Sequence, residues 1–299
     1  MAGAPRYKVP SDIWENTMSP VVAIIAPGMM GSAVAKRLVD HGLTLTTVLE
    51  GRSEASAARA RAAGMRPVSH EDAAAADFIL SIVPPGKALT LSESFAPLLR
   101  ARNEKPVYVD CNAVSPKTVV DIASVIGATG APFVDAGIIG APPRPNYDGP
   151  VFYASGEAAG RFAALGEYGL KVHVIDGPAG AASAMKMSYA GITKGLTALG
   201  AAMMLAAARA GTADALHHEL SQSQPTVLAW LTRQVPAMFP KAYRFVAEME
   251  EIADFVGEDA AARQMYQGYA ELYERLAADY DGDKREIRAL TEFVRRGQQ

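Results

Sequence analysis

Three short groups of residues in this 299-residue chain have the types and spacings that chemistry requires. The first is Ala26-Pro27-Gly28-Met29-Met30-Gly31, a turn between the apolar run Val21–Ile25 and a helical pattern that opens at Ser32. A strand that stops at such a turn and reopens as a helix directs backbone amides at a pyrophosphate. Pro27 fixes the turn, Gly28 lets the main chain approach phosphates, and Gly31 lets the helix lie close against the strand. The dinucleotide fingerprint has glycine where this chain has Ala26, a residue tolerable at negative φ and strained at positive φ. The second group, Glu50-Gly51-Arg52-Ser53, closes the next apolar run. Glu50 stands about 20 positions past Gly31, where a carboxylate accepts from the ribose hydroxyls of NAD. Arg52 and Ser53 suit the 2′-phosphate of NADP instead, so NADP is the expected cofactor and NAD the alternative. Ser53 also stands where a helix cap is needed. The third group centres on Lys186, set between Met185 and Met187 in a helix of small and apolar residues. Burial beside a nicotinamide cation would pull its pKa down from about 10.4 towards a working pH, as a general acid/base requires. The competing reading is a lysine that snorkels to the surface.

Two further strand ends add weaker candidates. Val83-Pro84-Pro85 and Asn112 follow apolar runs, and ligands collect at the carboxyl ends of strands in open parallel sheets. Cys111, the single cysteine, has no paired base and reads as a packed thiol. One cysteine also excludes an intrachain disulfide and a thiolate cluster, and the adjacent His217-His218 diverge on a helix, so no metal is expected.

The elements that must position these groups fall into two halves. From Val21 to about Asp176, short apolar runs alternate with helical patterns, which predicts a parallel, doubly wound α/β sheet. The predicted strands are 21–25, 44–49, 78–83, 107–110, 133–135, 151–154 and 172–175, with helices over 32–41, 53–63, 88–99 and 116–126. From Ala179 onward apolar residues recur at three and four, which predicts helices over 181–209, 214–221, 225–238, 243–256, 260–278 and 284–295. The expected organisation is a loose tail over 1–19, a Rossmann-like nucleotide-binding α/β domain over 20–179, and an all-α domain over 180–299 for substrate and dimer contacts. Met18 is a candidate alternative start.

Composition narrows the function classes. The net charge of −3 and the lack of a Lys/Arg block argue against nucleic acid. No apolar run approaches the roughly 20 residues a spanning helix needs, and residues 1–20 lack the apolar core of a secretory signal, so no membrane is expected. These readings point to a cytoplasmic protein with a small-molecule substrate.

The chain resembles the β-hydroxyacid dehydrogenase superfamily, which includes 3-hydroxyisobutyrate and 6-phosphogluconate dehydrogenases. Gly28-Met29-Met30-Gly31 resembles the family's Gly-x-x-Met-Gly with one residue fewer, and Gly51-Arg52-Ser53 resembles its cofactor-selecting Asn-Arg-Thr. Asp135-Ala136-Gly137-Ile138-Ile139-Gly140-Ala141 falls on the substrate motif, and Lys186-Met187-Ser188-Tyr189-Ala190 on the catalytic Lys-x-x-x-Asn. The stretch from Ala247 to Ala253 resembles a sub-branch with a C-terminal domain of unknown function. The resemblance implies hydride transfer between a nicotinamide and a carbonyl or hydroxyl carbon, with Lys186 moving the proton. It implies substrate contacts at Ile138, Ile139 and Gly140, where Ile139 replaces the family's serine; Ala190 replaces its asparagine. Tyr189 and Lys194 are the polar groups that compensate on the same helix. Trp230, Met265 and Tyr269 are expected to shape a pocket or to serve as helical core. A homodimer is expected through the small-residue helix. Two other functions fit the same features: an imine reductase, which generally lacks the lysine, and an NADP-binding sensor or scaffold without chemistry.

Overall fold

The structure is a computed structural model and describes residues 19–144 and 146–296. The tail expected over 1–19, all but its last residue, and Met18 with it, lie outside the described residues. The described residues form two compact units, one ending at Lys186 and the other beginning at Met187.

The first unit is built on eight strands, β1 (Val21–Ile25), β2 (Thr44–Thr47), β3 (Arg66–Pro67), β4 (Phe78–Ser81), β5 (Val107–Asp110), β6 (Phe133–Ile139), β7 (Val151–Ser155) and β8 (Lys171–Val174). They lie in the order β3-β2-β1-β4-β5-β6-β7-β8. Helices α1 (Met29–Asp40), α2 (Glu54–Ala62), α3 (His70–Ala73), α4 (Ala88–Arg100), α5 (Pro116–Gly127) and α6 (Ala159–Ala163) connect them. Val22, Ile24 and Leu80 enter the core on one face of the sheet, and Ala23, Ile25 and Ile79 the core on the other. Burial on both faces is why these strands read as unbroken apolar runs rather than alternating ones.

The sheet departs from the parallel arrangement that the sequence predicts. The sheet is not parallel throughout, because β7 runs antiparallel to β6, with Ile139 opposite Val151 and Asp135 opposite Ser155. The described residues between them, rich in proline and glycine, hold no helix to carry a parallel crossover, and the chain turns back. From β7 the short α6 restores a parallel step to β8.

Helix α7 (Ala181–Arg209) begins in the first unit and continues into the second, which also contains α8 (Ala213–Ser223), α9 (Pro225–Met238), α10 (Ala242–Phe255), α11 (Ala260–Asp281) and α12 (Arg285–Arg295). Small residues on α7 admit its neighbours in this second unit. A methyl at Gly200 would meet Leu231 of α9, and one at Gly191 would fall 2.7 Å from the Tyr266 hydroxyl of α11. Against the sequence expectation, α7 is long and apolar enough to cross a bilayer, but half of its most apolar stretch is buried within the fold.

Candidate active site

The first β-α turn forms as its residues require, with one exception that matters. Gly28 is extended, with φ −69° and ψ −175°, and caps α1 without any side-chain acceptor for the first-turn amides. Nothing lies within 4 Å of where a Cβ on Gly28 would project, whereas one on Gly31 would stand 2.6 Å from the Ala26 carbonyl oxygen. Gly31 therefore lets α1 pack on the turn, and Gly28 leaves the space over the free amides open. Pro27 is buried, Met30 packs on the core, and Met29 is exposed at the rim. Ala26 has φ +72°, the left-handed conformation that costs an alanine about 1–2 kcal/mol. The turn thus keeps glycine geometry where the glycine itself is missing.

Past β2, Ser53 caps α2 by accepting from the Ser56 amide, so its helix-capping reading holds. Arg52 is exposed and, among the described residues, has no carboxylate partner. Glu50 is 3.6 Å from His70. The sequence reading missed Arg59: from α2 its Nε donates to the Pro27 carbonyl at 3.0 Å.

Lys186 lies at the carboxyl end of β5. Its Nζ donates to the Asn112 carbonyl at 3.3 Å. Burial pushes its pKa down, while Cys111, Asp110 and Asp135 pull the other way. Asn112 is itself fully engaged: its Oδ1 accepts from Val83 N at 2.7 Å, and its Nδ2 donates to Ser81 Oγ and to Asp110 Oδ1. Its side chain ties the ends of β4 and β5 together, and its carbonyl holds the lysine. Val83 is held by this bond, while Pro84 and Pro85 are exposed as the chain turns into a short 3₁₀ segment.

The helix that carries Lys186 is fixed by a carboxylate that the sequence reading left without a role. Asp135, fully buried on β6, accepts from the amides of Gly180 and Ser183, both at 2.9 Å, and from Ser183 Oγ at 2.7 Å. Ser155 Oγ donates to the same carboxylate and accepts from the Ala182 amide. Gly137, two residues along β6, makes room for the helix, since a Cβ there would meet the Ala182 carbonyl at 3.0 Å and Lys186 Cβ at 3.1 Å. A glycine inside a strand was the available sign of this close approach.

Asp110 is buried beside this group with Oδ2 unpaired, and burial raises its carboxyl from 3.8 to about 7. The folded protein then binds a proton more tightly than the unfolded chain between those values. Stability contributed by this group is present at low pH and falls as pH rises towards 7. We expect Asp110→Asn to flatten that slope and to gain on the wild type by about 2–3 kcal/mol between pH 5 and pH 8. Urea denaturation of both proteins at the two values measures it. The neighbouring Cys111 is a buried thiol whose pKa is pushed up by that burial, consistent with packing.

The remaining sequence candidates fall in both units. Ile138 packs on the core, Ile139 is half-buried, and Gly140 at φ +127° sits against Tyr147 and Pro150. In the second unit Tyr189 is exposed, and Lys194 pairs with Glu248 and lies over the Phe245 ring. Trp230 and Tyr269 pack on the helical core, as the core reading has it, and Met265 is exposed. Among the described residues no cluster of His, Cys, Asp or Glu has the makings of a metal site.

An α/β unit followed by a helical unit, with a desolvated lysine at the strand ends, has the layout of a two-domain oxidoreductase. Residues 21–165 match the NAD binding domain of 6-phosphogluconate dehydrogenase, and residues 207–276 match a domain of unknown function, DUF1932. The chain is 30% identical to MTH1747, a conserved protein of unknown function with structural similarity to 3-hydroxyacid dehydrogenases, with a TM-score of 0.72 over 87% of this chain and 98% of that one. An uncharacterised 28.5 kDa protein of Methanothermus fervidus is 27% identical, covering 79% of this chain and 90% of its own length. The fold is shared with 3-hydroxyisobutyrate dehydrogenase of Mycobacterium tuberculosis, 18% identical, with a TM-score of 0.71 over 88% of this chain and 95% of that chain. The chain belongs to the β-hydroxyacid dehydrogenase superfamily, in a branch with a DUF1932 C-terminal region.

Proposed function

We propose that the chain is an NADP-preferring oxidoreductase acting on a carbonyl or hydroxyl carbon of a small substrate, with Lys186 as general acid and base. The observation that carries this reading is the Lys186 amine, desolvated and hydrogen-bonded to the Asn112 carbonyl at the carboxyl ends of the strands. Bound at the Gly28–Gly31 turn, a nicotinamide dinucleotide supplies or accepts the hydride. The chain supplies orientation and proton transfer. The free amides at the start of α1 hold the pyrophosphate, and Arg52 holds the 2′-phosphate. A lowered pKa lets Lys186 release its proton to a developing alkoxide and recover it in the reverse direction. Asn112 and Asp135 keep the amine and its helix in place. In sequence, Ile139 and Ala190 stand where the family's motifs carry a serine and an asparagine, which favours a bulkier or less acidic substrate.

The test is NADPH oxidation and NADP reduction at 340 nm with β-hydroxy acids, their oxo forms and cyclic imines. Turnover of an oxo or hydroxy compound supports the reading. Turnover of imines alone assigns the imine reductase function, and no turnover with any compound, despite NADPH binding, favours a sensor or scaffold. The single buried cysteine accords with a cytoplasmic setting.

We also propose a homodimer through α7. Tyr189, Ile192, Leu199 and Met203 are exposed on it at steps of three, seven and four residues, an apolar seam of the kind a second copy covers. Sedimentation should give a dimer for the wild type and a monomer for Ile192→Glu combined with Met203→Glu.

A further inference from the structure

We propose that Arg59 is a second guanidinium for the 2′-phosphate of NADP, held in position by the dinucleotide turn itself. The inference rests on the reading that this turn seats a nicotinamide dinucleotide. Arg59 sits half-buried on α2. Its Nε donates to the Pro27 carbonyl at 3.0 Å, and its Nη2 donates to Ser56 Oγ at 2.9 Å. Ser56 Oγ in turn lies 3.2 Å from Ser53 Oγ, the cap of the same helix. Two bonds from different elements fix the plane of the guanidinium and leave three of its five N–H donors for a ligand. No carboxylate neutralises it among the described residues, whereas Arg61 on the same helix pairs with Glu54, and Glu50 lies beside His70.

In this fold the adenosine ribose lies past the end of the second strand, next to the first β-α turn. Here Pro27 of that turn is linked through Arg59 and Ser56 to Ser53, the residue after Arg52. A guanidinium already oriented loses little rotamer freedom on meeting a phosphate dianion, and it binds two of its oxygens at once. The competing role is purely structural: Arg59 staples α2 to the strained turn and touches no ligand.

Calorimetric titration of the full chain with NADPH, NADH, 2′,5′-ADP and 5′-AMP separates the two roles. Arg59→Gln should weaken NADPH and 2′,5′-ADP by about 10–100-fold and leave NADH and 5′-AMP within about twofold. Arg59→Lys, which keeps the charge and loses the fork, should fall between, and it serves as the readout if Arg59→Gln does not fold. Equal losses for phosphorylated and unphosphorylated ligands would overturn the proposal in favour of the staple. A wild type that binds NADH as tightly as NADPH also overturns it, with the dinucleotide reading intact. A wild type that binds none of the four overturns both.

Discussion

Lys186→Ala should lose turnover by at least about 10²–10⁴-fold while binding NADPH as the wild type does. That range is the ordinary contribution of a positioned acid or base. The split between chemistry and binding follows from where the residue sits. Its amine is bonded to the Asn112 carbonyl past β5, whereas the amides proposed to hold the pyrophosphate open α1. Removing the side chain leaves the Gly28 turn untouched. Stopped-flow measurement of a single turnover, with NADPH binding measured separately by fluorescence, resolves the two. The direction of the pKa shift adds a second expectation. Because burial lowers the Lys186 pKa, the proton needed for reduction is lost at a lower pH than for a free lysine. The rate of reduction in the wild type should therefore fall on an alkaline limb that begins below the usual lysine range. Normal turnover in Lys186→Ala would remove the proposed role.

Asp135→Asn should be the most damaging conservative substitution in the first unit. The carboxylate accepts from two amides and two hydroxyls in a fully buried position. An amide of the same shape turns a donor towards at least one of those donors. Charge-assisted bonds are worth about 1.5–3 kcal/mol each, and the orphaned helix amides add the loss of a cap, so about 3–5 kcal/mol is expected. In a chain of this size the thermal midpoint should drop by about 10 °C. The same substitution frees the start of α7, and with it Lys186, so turnover should fall further than stability alone explains. Measuring kcat well below the melting temperature separates the two effects. An unchanged midpoint would mean that the helix is anchored elsewhere.

The layout of strands and helices was legible because burial on both faces of the sheet leaves continuous apolar runs, while each helix leaves its own period. Strand direction was not. Nothing local marks β7 as antiparallel, although the helix-free, proline-rich stretch before it held the clue. The second strand stops at Thr47, short of the expected Leu49, where its ladder with β3 also ends. Of the candidate site, the placement of Gly28 and Gly31 in the first β-α turn and of Lys186 on α7 was readable from local pattern alone. Asp135 and Arg59 were not, because their partners lie far away in sequence: Asp135 reaches Ser183 and Arg59 reaches Pro27. A buried carboxylate reads like an exposed one, and an anchored arginine like a free one, until the fold supplies what they touch. Ala26 lay between these cases. Its φ decided whether the missing glycine mattered, and +72° shows that the turn geometry outlasted the residue that favours it.

The central claim is that the turn after β1 seats a nicotinamide dinucleotide, and Gly28→Asp tests it most directly. Gly28 has an ordinary negative φ with open space above it, so an aspartate fits without strain and serves as a good cap for α1. Its carboxylate would occupy the ground over the free amides and repel a pyrophosphate. Calorimetric titration with NADPH and NADH should show saturable binding to the wild type and at least about 100-fold weaker binding to Gly28→Asp, with an unchanged or higher melting temperature. Equal binding by the two proteins, or no binding by the wild type, would contradict the account.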